Sequence, residues 1–193
     1  MQLPTEFWLI RHGQTDWNQL GLYQGQSDIP LNETGTRQAV EIASHLASLG
    51  QPFSAVYTSD LLRASQTAER IAASLALPLI PEPGLREICL GAWEGGPYKE
   101  IKSHYHRLAE LGEDPAQFRP PGGETVAEVA ARITETVNRI AAQHPGERVL
   151  MVLHGVVISS LLCSARGIPL AEVYQHFPKN AQPVILPWPV NPK

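Results

Sequence analysis

The stretch Phe7-Trp8-Leu9-Ile10-Arg11-His12-Gly13 is an apolar run that ends on a guanidinium, an imidazole and a glycine. Far down the chain Val149-Leu150-Met151-Val152-Leu153 runs in the same way into His154-Gly155. A strand wetted on one face alternates apolar and polar residues. These two runs do not alternate, so they read as strands covered on both faces, the signature of a parallel sheet between helices.

Outward from these runs, strands are expected at about Phe7–Arg11, Ala55–Thr58 and Arg148–Leu153, with a short one at Leu79–Pro81. The proline-rich tail Pro183–Lys193 reads as an edge strand followed by loose chain. Helical spacing recurs between the strands. One helix starts near Thr34 or Gly35, with Val40, Ala43, Leu46 and Ala47 on one face and Gly50 as its stop. Others are expected at Leu61–Leu75, ending before Pro78, at Tyr98–Leu111 and at Val156–Ala165. The longest, Thr125–Gln143, carries Val126, Val129, Ile133, Val137 and Ile140 along one face. Residues His12–Glu33 read as a polar loop, and 84–97 as irregular and Gly-rich. The expected fold is α/β, a three-layer α/β/α sandwich with a mostly parallel central sheet. One domain is expected over 1–193, with a small lid-like insertion at about 94–124 closed by Pro120-Pro121-Gly122-Gly123.

Composition narrows the function. With 43% hydrophobic and 18% charged residues the chain is ordinary for a globular domain. Its net charge of -4 favours neither nucleic acid nor an anionic membrane, so any basic site must be local. No stretch approaches the roughly 20 apolar residues of a membrane span, and Met1–Glu6 lacks a basic start, so a cytoplasmic protein is expected. Cys89 and Cys163 are too few for a disulfide framework, and Cys163, in an apolar helical run, reads as a buried small hydrophobe. His104 and His106 fall on different helix faces, there is no H-E-x-x-H or P-loop, and Gly91–Gly96 does not open a helix after a strand. No metal and no cofactor are expected.

Ligands of parallel sheets bind beyond the carboxyl ends of the strands. Three pieces converge there: Arg11-His12-Gly13, Ser59 to Arg63, and His154-Gly155. Each has an ordinary reading, a structural histidine or a solvated helix arginine. Together they make a nitrogen-rich site suited to a phosphoryl group, because arginine offers paired donors and fixed charge. Glycine after each histidine allows a sharp turn or close backbone approach.

Five segments, in order, resemble the histidine phosphatase superfamily, the phosphoglycerate mutase-like group. They are Leu9-Ile10-Arg11-His12-Gly13-Gln14-Thr15-Asp16-Trp17-Asn18 with the loop Gly25–Gly35 behind it; Tyr57–Ala68, which holds Arg63; Leu85-Arg86-Glu87 with Gly91-Ala92-Trp93-Glu94-Gly95; Pro121-Gly122-Gly123-Glu124; and Val152-Leu153-His154-Gly155. The resemblance implies that His12 is the nucleophile and is transiently phosphorylated. It implies that Arg11, Arg63 and His154 grip the phosphoryl oxygens, and that Glu87 donates a proton to the leaving oxygen and then activates water. Asn18, Gln24, Gly25 and Gly155 would line the phosphate pocket, and no metal would be needed.

The segment Ile88–Gly95 resembles the phosphatase branch. The implied activity is hydrolysis of a small phosphate monoester, with a cofactor-dependent phosphoglycerate mutase as the alternative. A non-catalytic phosphometabolite-binding module stands behind both, since Arg11, His12, Arg63, Glu87 and His154 are all present. The expected partner is a small phosphorylated metabolite, with no nucleic acid and no membrane, and a homodimer is left open. Phosphoglycerates, ribazole phosphate and sugar phosphates are all candidate substrates. Glu82 and Glu94 are rival carboxylates for the acid. Trp93, Tyr98, Lys99 and Tyr105–Arg107 are candidate lid residues, and Gly95-Gly96-Pro97 departs from the family pattern, where a larger side chain is expected.

Overall fold

A computed structural model describes residues 3–189, apart from the side chains of Ile101, Lys102, Tyr105, His106 and Ala109. Its sheet has the order β3-β2-β4-β1-β5, with β1 Thr5–Arg11, β2 Ala55–Thr58, β3 Leu79–Pro81, β4 Arg148–Leu153 and β5 Pro183–Trp188. The first four are parallel, and β5 runs antiparallel along β1. Pro183 and Pro187 are tolerated in β5 because it is the edge strand.

The unbroken apolar runs are explained by two cores. Phe7 and Leu9 of β1 and Val149 and Met151 of β4 face one way, toward the helices α5 (Val126–Gln143) and α6 (Gly155–Arg166). Trp8, Ile10, Leu150 and Val152 face the other way, toward α2 (Glu33–Ser48) and α3 (Leu62–Leu75). Alternate side chains therefore serve opposite layers. Both ends of the chain's longest helix match the sequence reading: Thr125 caps α5 through a capping box with Glu128, and the helix ends at Gln143.

Three expectations need correcting. The buried face of α2 is Gly35, Ala39, Ile42, Ala43 and Leu46, whereas Val40 is 49% exposed and Ala47 is also exposed. The helix is rotated because Gly35 must lie against the loop after β1, where a Cβ on Gly35 would fall 2.0 Å from the Gln14 carbonyl oxygen. Second, the polar loop holds a short helix, α1 (Asp16–Leu20), capped by Thr15 and Asn18 and stopped by Gly21 at φ 69°. Third, close approach explains Gly13, whose Cβ would meet the Gly35 oxygen at 2.6 Å. It does not explain Gly155, whose Cβ would make ordinary contacts at 3.7 Å.

The irregular 84–97 stretch contains two 3-10 turns, Pro83–Leu85 and Gly91–Trp93. Within 94–124 a helix, α4 (Tyr98–Glu110), is followed by a 3-10 turn at Pro115–Gln117. Trp93 stacks on Phe118 and meets His104 edge-on, tying this segment together. The side chains of Tyr105 and His106, and residues 190–193 of the tail, lie outside the described residues. Among the described residues no helix is long and apolar enough to cross a membrane.

Candidate active site

Parallel register brings the two histidines together. Arg11 lies opposite Leu153, so His12 and His154 leave adjacent strand ends, and the His12 amide donates to the Leu153 carbonyl at 3.0 Å. The two rings sit 5.2 Å apart between centroids. On the other side of β4, the Ser59 amide donates to Val152 at 3.0 Å, and α3 then brings Arg63 back over the same strand ends. All of this lies at the carboxyl edge of the sheet.

His12 Nδ1 lies 2.7 Å from the carbonyl oxygen of Gly13. A carbonyl only accepts, so Nδ1 carries the proton and Nε2 keeps its lone pair. Burial, then the charges of Arg63 and Arg11, hold the His12 pKa well below the usual imidazole range, against the opposing bond to Gly13. The ring is thus a neutral base with its second nitrogen free.

Arg63 is fully buried, yet two of its nitrogens donate to the Ser27 and Gly25 carbonyls at 2.8 and 2.7 Å. Burial lowers its pKa to about 10, which leaves it a cation at neutral pH. Arg11 donates to the Pro178 carbonyl at 3.1 Å and sits 5.9 Å over the Phe177 ring. The Nε atoms of Arg11 and Arg63 and both ring nitrogens of His154 are buried without a hydrogen-bond partner. Burying such a group unpaired costs about 1–3 kcal/mol, and the two guanidinium Nε–H donors beside the cavity suit an anion.

His154 departs in one respect from its expected place. Its ring packs beside that of His12 and is not among the residues that line the cavity of about 590 Å³, which Arg11, His12, Asn18, Gln24, Gly25, Arg63, Glu87 and Gly155 do line. Burial, with the charge of Arg63 next, keeps it neutral as well. The site therefore holds two permanent cations and two neutral imidazoles.

Glu87 enters from the segment after β3. Its carboxylate accepts from the Ile88 amide at 3.0 Å and from the Val156 amide, at the start of α6, at 3.2 Å. Burial raises its pKa, outweighing these two donors and the pull of Arg63 and Arg11. The rivals are committed elsewhere. Glu82 pairs with Arg139 at 2.6 Å, and Glu94 accepts from Ser27 Oγ at 2.5 Å and the Gln26 amide at 2.9 Å, bracing the loop that carries Gln24 and Gly25. Gly25 adopts φ 51° and passes so close to Glu94 that a Cβ would fall 2.3 Å from its carboxylate. Asn18 caps α1 with its Oδ1, which leaves its amide nitrogen for a ligand.

Three features had no assigned role in the sequence reading. Residues 176–181 fold back over the site: the Ala181 amide donates to Arg11, and Asn180 Nδ2 donates to the His12 carbonyl at 2.7 Å. Tyr23 stacks on Tyr98 at 4.9 Å and forms one wall. Arg132, at the flank of the buried stripe of α5, gathers the carbonyls of Gly84 and Arg86 at 2.9 Å each and pairs with Glu124 at 3.0 Å. Glu124 in turn accepts from the Cys89 amide at 2.9 Å. The pair clamps both ends of the turn that presents Glu87. The sequence signal for this clamp was the acid of Pro121-Gly122-Gly123-Glu124. Arg132→Met should lower kcat by up to about 10²-fold through misplacement of Glu87. Steady-state kinetics beside a melting curve will separate that loss from unfolding.

The class defined by this fold and site is also found by comparison. The sequence matches the histidine phosphatase superfamily (branch 1) over residues 7–189. The chain belongs to that superfamily. It is 39% identical over 163 residues to the metal-independent phosphoserine phosphatase of Arabidopsis thaliana, covering 81% of this chain and 67% of that one. It is 36% identical over 172 residues to a probable phosphoglycerate mutase of Cronobacter sakazakii, covering 85% and 76%. Among solved structures, Bacillus stearothermophilus YhfR superposes with a TM-score of 0.82 at 33% identity, over 94% of this chain and 90% of that one. Mycobacterial glucosyl-3-phosphoglycerate phosphatase in complex with VO3 superposes with a TM-score of 0.77 at 31% identity, over 95% and 98%.

Proposed function

We propose that this protein is a phosphatase that hydrolyses a small phosphate monoester without a metal, through a phosphohistidine on His12. The observation that carries this reading is the neutral His12, with Nε2 free, set among the buried unpartnered nitrogens of Arg11, Arg63 and His154 and sharing a cavity with Glu87. In the first step Nε2 attacks phosphorus in line and the ester P–O bond breaks. The leaving alkoxide takes the Glu87 proton. In the second step Glu87, now a carboxylate, removes a proton from water as its oxygen attacks phosphorus, the N–P bond breaks, and His12 and protonated Glu87 are restored. The two guanidiniums stabilise charge on the transferring oxygens, the part a metal plays elsewhere. The segment 94–124 acts as the lid of this single domain, with Tyr98 and Lys99 at the cavity.

Release of phosphate from p-nitrophenyl phosphate in excess chelator tests the reading. Undiminished turnover is expected, and loss of turnover on chelation would overturn it. The second reading, a mutase, is favoured by the name of the Cronobacter sakazakii relative. Isomerisation of 3-phosphoglycerate, dependent on 2,3-bisphosphoglycerate and faster than phosphate release, would establish it instead.

The pH dependence follows from opposed shifts. His12 must be unprotonated, and its pKa is lowered, so the acid limb lies well below that of an ordinary histidine. Glu87 must be protonated, and its pKa is raised, so activity is lost as pH rises through that raised value. A bell-shaped kcat/KM profile with its optimum at or below neutrality is expected. Glu87→Gln should remove the alkaline limb, and a wild-type rate still climbing above about pH 8 would exclude Glu87 as the acid.

A further inference from the structure

Beyond the phosphoryl end, the cavity continues between two rims that are joined to each other. The Tyr23 amide donates to Gly96 at 2.9 Å and the Tyr98 amide to Gly21 at 2.8 Å, with Leu22 bridged to Pro97. Leu20, Leu22, Pro97, Tyr98 and Phe177 supply apolar lining to this cavity, Phe177 also lying against Arg11. Leu20 is 68% exposed, a large apolar side chain held in the mouth of a cavity that otherwise leads to charge. Tyr98 lies between Tyr23, at 4.9 Å, and Phe177, at 6.4 Å, so one wall is aromatic. Lys99 is the charged residue on this wall among the described residues.

The carboxylates are equally informative. Every Asp and Glu side chain of the chain is among the described residues, and Glu87 is the one that lines the cavity. It already accepts two backbone amides and faces two guanidiniums. A substrate ammonium would find no second carboxylate there and would be repelled by Arg11 and Arg63. A polyol would set most of its hydroxyls against leucine and aromatic faces, with Asn18, Gln24 and Lys99 as the polar side chains left to it. A flat apolar group gains area and ring contacts instead.

Resting on the phosphatase reading, we propose that the substrate is the phosphate ester of an apolar, preferentially aromatic alcohol without an ammonium group. Lys99 extends the range to alcohols carrying a distal carboxylate. Phosphoserine, whose ammonium meets two guanidiniums and no second carboxylate in this cavity, is a poor substrate.

The test compares primary-alkyl esters, whose leaving groups are of similar basicity, so that rate differences report on the cavity. Benzyl phosphate, 4-carboxybenzyl phosphate, phosphoserine and glycerol 3-phosphate are assayed, with p-nitrophenyl phosphate as the activity control. Benzyl phosphate should exceed phosphoserine in kcat/KM by about 10²-fold. Tyr98→Ala should cut turnover of benzyl phosphate by up to about tenfold. Lys99→Met should cut turnover of the carboxylated ester by about fivefold relative to benzyl phosphate. Equal losses on both esters would remove Lys99 from the proposal. If p-nitrophenyl phosphate is hydrolysed while phosphoserine matches or exceeds benzyl phosphate, the substrate assignment is wrong and the phosphatase reading stands. If p-nitrophenyl phosphate and all four esters are inert, both fall.

Discussion

His12→Ala is expected to lower kcat by about 10⁴-fold or more while the protein stays folded. The size follows from the chemistry: without Nε2 no N–P bond forms, and the residual rate is what water achieves among the remaining cations. Folding should survive because the ring makes a single hydrogen bond, to its neighbour Gly13, and its backbone is held independently by Leu153 and Asn180. The variant should still bind inorganic phosphate, since Arg11 and Arg63 remain. A calorimetric titration with phosphate, set beside the kinetic loss, separates a missing nucleophile from a collapsed site. Phosphate affinity falling in step with kcat would mean that His12 holds the pocket together and does not act chemically.

Arg63→Met should cost both activity and stability. Arg63 does two jobs from one buried position, lining the cavity with its Nε unpartnered and tying down the loop that carries Gly25 and Ser27. Methionine fills much of the volume and leaves both carbonyls unpaired, for an expected loss of about 2–4 kcal/mol in urea unfolding. The avoided burial of a charge offsets part of the gross loss. kcat/KM should fall by about 10³-fold. Arg63→Lys keeps the charge but cannot span both carbonyls, so it should recover some stability and little rate. A wild-type-like melting temperature for Arg63→Met would show that the loop is held by other means, such as Glu94.

Most of this site was legible because the informative signals were local. Apolar runs at 7–10 and 149–153 that never alternate read as strands with a helical layer on each side, and the structure adds the parallel register that places His12 beside His154. The motif around Glu87 pointed to the carboxylate that lines the cavity, whereas Glu82 pairs with Arg139 and Glu94 with Ser27.

What escaped was set by long-range packing. The rotation of α2 depends on Gly35 meeting Gly13, a contact no helical periodicity contains. That His154 packs against the His12 ring outside the cavity lining follows from side-chain placement, which the motif does not contain. Residues 176–181 form no long element, and their role comes from where β5 obliges the chain to return. The helix α1 had a readable cap in Thr15 and Asn18, but five residues give no periodicity to find.

The central claim is that the phosphoryl group rests on His12 between two half-reactions. The most direct measurement is rapid quenching of the Glu87→Gln variant with p-nitrophenyl phosphate, followed by peptide mapping by mass spectrometry. Loss of the base that activates water should let the intermediate accumulate. An acid-labile, alkali-stable phosphoryl group is expected on the peptide bearing Arg11-His12-Gly13, and none in His12→Ala. Turnover of substrate with no phosphopeptide at any quench time, or with label on another residue, would contradict it.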